Sequence, residues 1–512
     1  MKSLWPIDFP EATRLSMLAA FVFFVSACSH LKPHDSAPEY ALPVAENALW
    51  AEVDQRVSGD WVIPLNTGNE AMEWRLRAID SATASIDLQT FLWEDDTLGL
   101  AVVRHLFDAA DRGVRIRILL DDSFTVTHEE AIRGIDLHEN IELRIYNPFK
   151  RRSDNLARRL LINLGDFSRL DHRMHNKALL IDNQISIIGG RNLANEYFGD
   201  HELSNFRDLE LITGGPHVQE TSNLFNQFWN NPWTFPESEI ITDTDEFMTP
   251  TEFTAWLNKS TPSTSQETPT TRRLAWETLI QRALPSNITL FADIPALDNP
   301  AHHDELPTQL AEELIDVIDL AAAELILVSA YLIPTEAFEC AVERAEQRGV
   351  RVRILTNSLR SNNHLAAHSA YRKHIHRLID HGADVHEVRA FAKDRHIYMQ
   401  TPVNEKQLGL HAKFMIVDDT ITFIGSANLD ARSLRLNTEM GLLIESAELN
   451  REIREFIKVD FDKRNAWHLQ PQPDGSIRWV SDDESLSSQP ADSHLQRLED
   501  WFIGILPIDG EM

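Results

Sequence analysis

The sequence carries one motif twice, in register. His175-Asn176-Lys177-Ala178-Leu179-Leu180-Ile181-Asp182 leads to Gly189-Gly190-Arg191-Asn192, and His411-Ala412-Lys413-Phe414-Met415-Ile416-Val417-Asp418 leads to Gly425-Ser426-Ala427-Asn428. His175 precedes His411 by 236 residues, and Asn192 precedes Asn428 by the same 236. Arg112-Gly113-Val114-Arg115-Ile116-Arg117 returns at that spacing as Arg348-Gly349-Val350-Arg351-Val352-Arg353. Chance does not preserve both a motif and its register, so the chain is two related halves sharing one site. At 512 residues it is long enough for two domains.

Each half has an α/β pattern. Residues 86–93 and 114–120 are apolar strand-like runs, and 98–110 between them have helical spacing that stops at Arg112-Gly113. Residues 325–332, 336–347 and 350–355 repeat that order. Strand, helix, strand implies a parallel pair with a crossover helix.

The motif spacing has a chemical meaning. Residues i and i+2 of a strand share a face, so His175 projects with Lys177 and His411 with Lys413. The apolar residues after each lysine suit a buried strand. Two such strands meeting would put two histidines and two lysines in one pocket. Imidazole is both nucleophile and proton carrier near neutral pH, and lysine supplies compact positive charge for phosphoryl oxygens. Asn192 and Asn428 add hydrogen bonds to the same oxygens. A metal reading is weaker: protonated lysine is a poor ligand, and no HExxH or CxxC accompanies the histidines. No metal and no cofactor are expected.

These paired H-x-K-x4-D motifs resemble the phospholipase D superfamily, and their wording is similar to bacterial cardiolipin synthases. Further phrases carry the resemblance: Ile86-Asp87-Leu88-Gln89, Asp166-Phe167-Ser168-Arg169-Leu170, Leu355-Thr356-Asn357-Ser358 and Arg432-Ser433-Leu434-Arg435-Leu436-Asn437-Thr438-Glu439. It covers most of residues 50–470. It implies tandem α-β-α sandwich domains with one shared active site and the catalytic set His175, Lys177, Asp182, His411, Lys413 and Asp418. Asp182 and Asp418 are expected to be supporting members, since an offset of seven places them opposite their histidines in strand phase. The resemblance also implies an acidic residue that orients each histidine, here Glu439 and, of Asp208 and Glu210, Asp208. It implies a phosphatidyltransferase making cardiolipin through a phosphohistidine on His175, with His411 as acid and base. Hydrolysis to phosphatidic acid is the alternative, and a non-lipid phosphodiesterase or nuclease a further one.

Composition bears on the partners. A net charge of -31 argues against a general nucleic-acid binder, so phospholipids and a membrane surface are the expected partners and nucleic acid is not; no protein partner can be read. Only Cys28 and Cys340 occur, which excludes a disulfide framework. Residues 15–25 are apolar but short for a membrane span, and they end in Val25-Ser26-Ala27-Cys28, similar to a bacterial lipoprotein box. Residues 1–28 are thus expected to be a signal peptide, with Cys28 lipidated and Ser29 directing the protein to the periplasmic face, in the outer membrane.

The remaining expectations concern boundaries and surfaces. Residues 29–50 should be a tether, 51–235 and 301–470 the two domains, 236–300 a linker with a mobile low-complexity stretch at 258–271, and 471–512 a tail. From Lys150 to Lys177 eight basic residues face three aspartates, a local balance of +5. That segment is expected either to lie on an anionic bilayer or to be a solvated helix. His364 and Tyr371 are expected near the head group or at the surface. Residues 495–508 are expected to form an interfacial helix or to dock on the protein.

Overall fold

A computed structural model describes residues 31–34, 38–39, 48–127, 129–153, 156–241, 248–261, 267–296 and 309–504. Among these, the first half forms a nine-stranded sheet. Its order is Leu284–Pro285, Trp61–Leu65, Glu210–Gly214, Ile185–Gly189, Ala178–Ile181, Ser85–Thr90, Arg115–Asp121, Ile141–Tyr146 and Thr234–Pro236. The second half repeats the order from Asn287–Ala292 through Met440–Glu445, Ile421–Gly425, Phe414–Val417, Glu324–Val328, Arg351–Asn357 and Asp384–Val388 to Ala466–Pro471, then adds Ile477–Val480 and Ser485–Leu486. In each sheet the strand after the H-x-K motif lies antiparallel to its neighbours, beside the parallel pair the sequence implied.

The motif strands are central and covered on both faces, which is why they are apolar throughout. Leu179 and Ile181 pack into the outer core of the first half, while Ala178 and Leu180 point into a core shared by both halves. Phe414 and Ile416 enter that same shared core, and Met415 and Val417 the outer core of the second half. Each such aliphatic burial stabilises by about 2 kcal/mol. Helices His217–Trp229 and Ala447–Asp460 supply Phe225, Phe228, Leu449 and Ile453 to the layer between the sheets.

The helices begin and end where local chemistry dictates. Asp96 caps Thr97–Asp111 by accepting from Gly99 N at 2.9 Å, and Thr335 caps Glu336–Gln347. Both helices run into a glycine of positive φ, Gly113 at 91° and Gly349 at 85°, before the next strand. Those two glycines stand 236 residues apart because the turn they make is duplicated.

Four expectations need correction. The tether is partly docked: Glu39 pairs with Arg115 at 2.6 Å and with Arg144, and Ala48–Arg56 is helical. The linker is largely structure, because Pro250–Ser260 and Pro269–Leu279 bury Phe253, Leu257, Trp276 and Leu279 in the outer core of the first half. Of the stretch read as mobile, 258–260 and 269–271 are helical, and 262–266 lie outside the described residues. The second sheet extends to Leu486, past the expected boundary at 470.

Much of the basic segment turns inward, while Lys150 and Arg158 stay exposed. Arg159 and Arg169 are buried. Asp122 takes Arg152 at 2.6 Å, Asp166 takes Arg169 at 2.6 Å and Asp121 takes Arg173 at 3.4 Å. A buried guanidinium without a carboxylate would cost several kcal/mol, so these charges turn inward as pairs. No described helix is long and apolar enough to cross a membrane. The signal peptide and Cys28 lie outside the described residues.

Candidate active site

The two H-x-K segments meet across the halves. Each histidine sits in extended chain just before its strand and is fixed by the backbone of the other half. His175 N donates to Thr438 O at 2.9 Å, and His411 N donates to Arg207 O at 2.9 Å. Ser204–Arg207 runs parallel to Gln407–Leu410 as a short two-stranded ladder between the halves. The residue before each histidine is braced by a matched pair 236 positions apart. Asp121 accepts from Met174 N at 2.9 Å, and Asn357 accepts from Leu410 N and donates to Leu410 O, both at 2.8 Å.

The orienting carboxylates cross over. His175 Nδ1 lies 2.9 Å from both oxygens of Glu439, and His411 Nδ1 lies 2.7 Å from Asp208 Oδ2. Both carboxylates are fully buried, and both histidines nearly so. With Nδ1–H given to a carboxylate, Nε2 carries the lone pair. Glu210 is instead held by Arg75 at 2.7 Å, so Asp208 is the acid of the first half.

Gly190 makes room for this geometry: a Cβ there would lie 2.4 Å from Asp208 Oδ1. The second half has Ser426 at the equivalent position, and its hydroxyl donates to the longer Glu439. Asp293 accepts from Glu439 N at 2.9 Å.

Each lysine folds back on its own histidine. Lys177 Nζ donates to His175 O at 2.7 Å, and Lys413 Nζ donates to His411 O. Phe91 lies edge-on to His175, and Tyr197 edge-on to His411, both with ring centroids 4.8 Å apart. These rings wall the two imidazoles. Burial lowers His175 to about 4 and His411 to about 3, with the lysines adding to the effect and the carboxylates opposing it. Burial also lowers Lys177 to about 7 and Lys413 to about 8. Against the pull of burial, His411 and Lys413 hold Asp208 down to about 2, and His175 and Lys177 hold Glu439 below its ordinary value. Below pH 7 the resting site therefore holds two neutral imidazoles, two ionised carboxylates and two ammonium groups, Lys177 being the first to lose its charge as the pH rises.

Asn192 and Asn428 are buried, each with a side-chain oxygen that has no hydrogen-bond partner among the described residues. Such orphaned polar atoms are costly unless a ligand or water meets them.

Asp182 and Asp418 lie at the other end of the motif strands from their histidines, outside this cluster. Asp182 accepts from Trp50 Nε1 at 3.0 Å and from the backbone of Thr83, Ala84 and Ser85. Asp418 accepts from the backbone of Ala322, Ala323 and Glu324. Their φ values of 52° and 48° close the turns that follow, a conformation aspartate tolerates. Tyr371 is a core residue bonded to Glu387, and His364 caps helix Leu365–Tyr371.

The repeat of this geometry matches a known family. The model described as "Cardiolipin synthase, PLD-like domain" fits residues 76–229 and again 314–460. Cardiolipin synthase C of Escherichia coli (strain K12) is 31% identical over 472 residues, covering 88% of this chain and 95% of that protein. The chain belongs to the phospholipase D-like cardiolipin synthase family. An uncharacterized protein of Helicobacter pylori (strain ATCC 700392 / 26695) is 29% identical, covering 88% and 89%. The fold is also that of the phosphatidylserine synthase of Haemophilus influenzae Rd KW20, with a TM-score of 0.54 at 14% identity over 80% of this chain and 90% of that one. Family membership makes this chain an enzyme, a phosphatidyltransferase of the phospholipase D superfamily acting on phospholipids.

Proposed function

We propose that this enzyme makes cardiolipin, transferring a phosphatidyl group from one phospholipid to the free glycerol hydroxyl of phosphatidylglycerol. The observation that carries the reading is the crossed pair of histidine–carboxylate contacts, His175 with Glu439 and His411 with Asp208, around two buried lysines. The relationship to cardiolipin synthase C supports the choice of lipid.

The reaction has two displacements. His175 Nε2 attacks the donor phosphorus, and the bond from phosphorus to the head-group oxygen breaks. That oxygen takes a proton from Nε2 of His411, which gains it from solvent as the phosphodiester enters and holds it as an imidazolium steadied by Asp208 and the bound anion. Lys177, Lys413, Asn192 and Asn428 hold the non-bridging oxygens as charge builds on them. The acceptor hydroxyl then gives its proton to His411, its oxygen attacks phosphorus, and the phosphorus–Nε2 bond breaks. Glu439 keeps the His175 proton on Nδ1 throughout. The enzyme works on the periplasmic face of the envelope, anchored through Cys28 in the outer membrane, a reading supported by the Val25-Ser26-Ala27-Cys28 sequence.

Detergent-solubilised enzyme mixed with phosphatidylglycerol, with and without phosphatidylethanolamine, tests this by mass spectrometry of the products. Cardiolipin that disappears in His175→Ala and in His411→Ala is the expected result. Phosphatidic acid alone would make water the acceptor. A phosphorus-labelled donor whose leaving group needs no proton, a phosphatidyl p-nitrophenol, should leave label on His175 in the His411→Ala enzyme; label on His411 in the His175→Ala enzyme would reverse the roles.

A further inference from the structure

Helix His494–Ile503 is docked the wrong way round. A surface helix ordinarily buries its apolar stripe and leaves its polar face to water. Here the polar residues make the attachment. Asp500, 1% exposed, lies 2.9 Å from His368 Nδ1 and accepts from Ser369 Oγ at 2.9 Å; Gln496 Nε2 donates to Leu359 O at 3.2 Å. Leu495, Leu498, Trp501 and Phe502 point outward at 61%, 59%, 53% and 63% exposure. Their spacing of three and four puts them on one stripe. Four of the ten exposed large apolar side chains among the described residues therefore stand on this ten-residue helix, so the face is a patch and not scatter.

Two observations say what covers it. The first is charge. In a chain of net -31, three basic residues follow the helix Leu365–Tyr371 on which it packs: Arg372, whose Nε lies 3.6 Å from Asp500, and the exposed Lys373 and Arg377, the last paired with Glu339 at 3.1 Å. Aromatic and leucine side chains beside arginine and lysine are the composition that seats a helix at an anionic lipid interface. The second is position. The helix packs on Leu365–Tyr371, and Leu359, which it bonds, follows Asn357, the brace of Leu410 next to His411. At the corresponding end of the first half, beyond Asp121, Leu161 and Phe167 are exposed at 62% and 44%.

We propose that the outward stripe of His494–Ile503, with the basic residues that follow Leu365–Tyr371, is the surface on which the enzyme rests on an anionic phospholipid bilayer. The choice of occupant rests on the phospholipid reading above. The stripe would enter the interface with Trp501 and Phe502 deepest, while Arg372 and Lys373 meet lipid phosphates, setting the shared site toward the membrane from which its substrate comes.

The test reads contact and not turnover, so it is independent of which lipid product forms. In full-length protein with Cys28→Ala and Cys340→Ala, Phe502→Cys is labelled with the fluorophore NBD, and Leu274→Cys, equally exposed elsewhere, serves as control. On adding phosphatidylglycerol vesicles the label at 502 should brighten several-fold and be quenched by doxyl-labelled lipid, while the label at 274 does neither. Half-molar salt should weaken the response. No brightening at 502, or equal brightening at both positions, would overturn the proposal. So would brightening at 502 that needs no vesicles and rises with protein concentration, which would make the stripe a contact between copies of this chain. Leu498→Ser/Trp501→Ser/Phe502→Ser, all at exposed positions, should leave thermal stability unchanged and raise the vesicle concentration needed for half-maximal binding by at least tenfold. Unchanged binding would also overturn it.

Discussion

His175 is oriented by Glu439, a residue 264 positions away in the other half of the chain. His411 is oriented in the same crossed way by Asp208. Neither half therefore holds a complete catalytic pair. Glu439→Gln keeps shape and a hydrogen bond but can offer its amide N–H to Nδ1, favouring the wrong tautomer of His175. The expected outcome is a fall in kcat of about 10²- to 10⁴-fold, with KM changed only a few-fold and unfolding temperature little changed. Steady-state kinetics beside thermal denaturation checks this.

Loss of charge on the lysines adds to the alkaline fall of activity, beside the need for a proton on His411. Burial brings Lys177 to about 7 and Lys413 to about 8, so the free enzyme loses these charges as the pH rises through that range. The ratio kcat/KM should fall above pH 7 to 8, while kcat holds to higher pH because the bound phosphodiester restores the protons. A lysine with a folded pKa below its unfolded value lowers stability at acid pH, and that penalty fades as the pH climbs from 7 toward 10.5. Stability from these groups therefore rises with pH across the range where activity is lost, so that loss is not unfolding. On the acid side, the nucleophile stays unprotonated to about 4, so its limb should lie well below the usual histidine range. A kcat/KM profile flat to pH 9 would contradict the buried-lysine account.

Gly190 should be sensitive for a steric reason. Its φ is not unusual, but a methyl group would lie 2.4 Å from Asp208 Oδ1 and push the carboxylate off His411. Gly190→Ala is expected to cost about 10²-fold in kcat, with a smaller loss of stability. Because His411 serves both displacements, phosphoenzyme formation and turnover should fall together, which single-turnover labelling can measure.

Asp182 carries the motif but not the chemistry. Removing its carboxylate leaves the Trp50 indole and three backbone N–H groups without their acceptor. Asp182→Ala should destabilise by about 3 kcal/mol while the folded fraction keeps kcat within about threefold of wild type. Denaturant titration and active-site-normalised kinetics separate the two.

The sequence made the central chemistry legible because that chemistry is local. H-x-K fixes two side chains on one side of an extended segment, and the 236-residue register shows that a second pair exists. Strand phase also set Asp182 and Asp418 aside from their histidines. What strand phase does not contain is which carboxylate meets which ring, since the crossing depends on how the halves pack. Tyr197, Ser426 and Asp293 escaped notice for the same reason; only the exchange of Gly190 for Ser426, beside the exchange of Asp208 for Glu439, hinted that a shorter and a longer acid need different neighbours. The arginines of 150–177 were misread because a charge count along the segment leaves out Asp121 and Asp122, which lie upstream in sequence and directly beneath in space. The C-terminal helix posed the reverse difficulty: its apolar residues were plain, but only Asp500 tells which side faces the protein.

The ladder that joins Ser204–Arg207 to Gln407–Leu410, and the reach of Glu439 back to His175, also set a time at which the enzyme can first act. A chain growing on the ribosome has its first histidine and lysine long before it has the carboxylate that tunes them. Until residue 439 emerges and the halves close, His175 is an ordinary exposed imidazole with no fixed tautomer and no second histidine to serve the leaving group. The shared site thus stays incomplete until the second half has been made, by the order of the two halves along the chain alone.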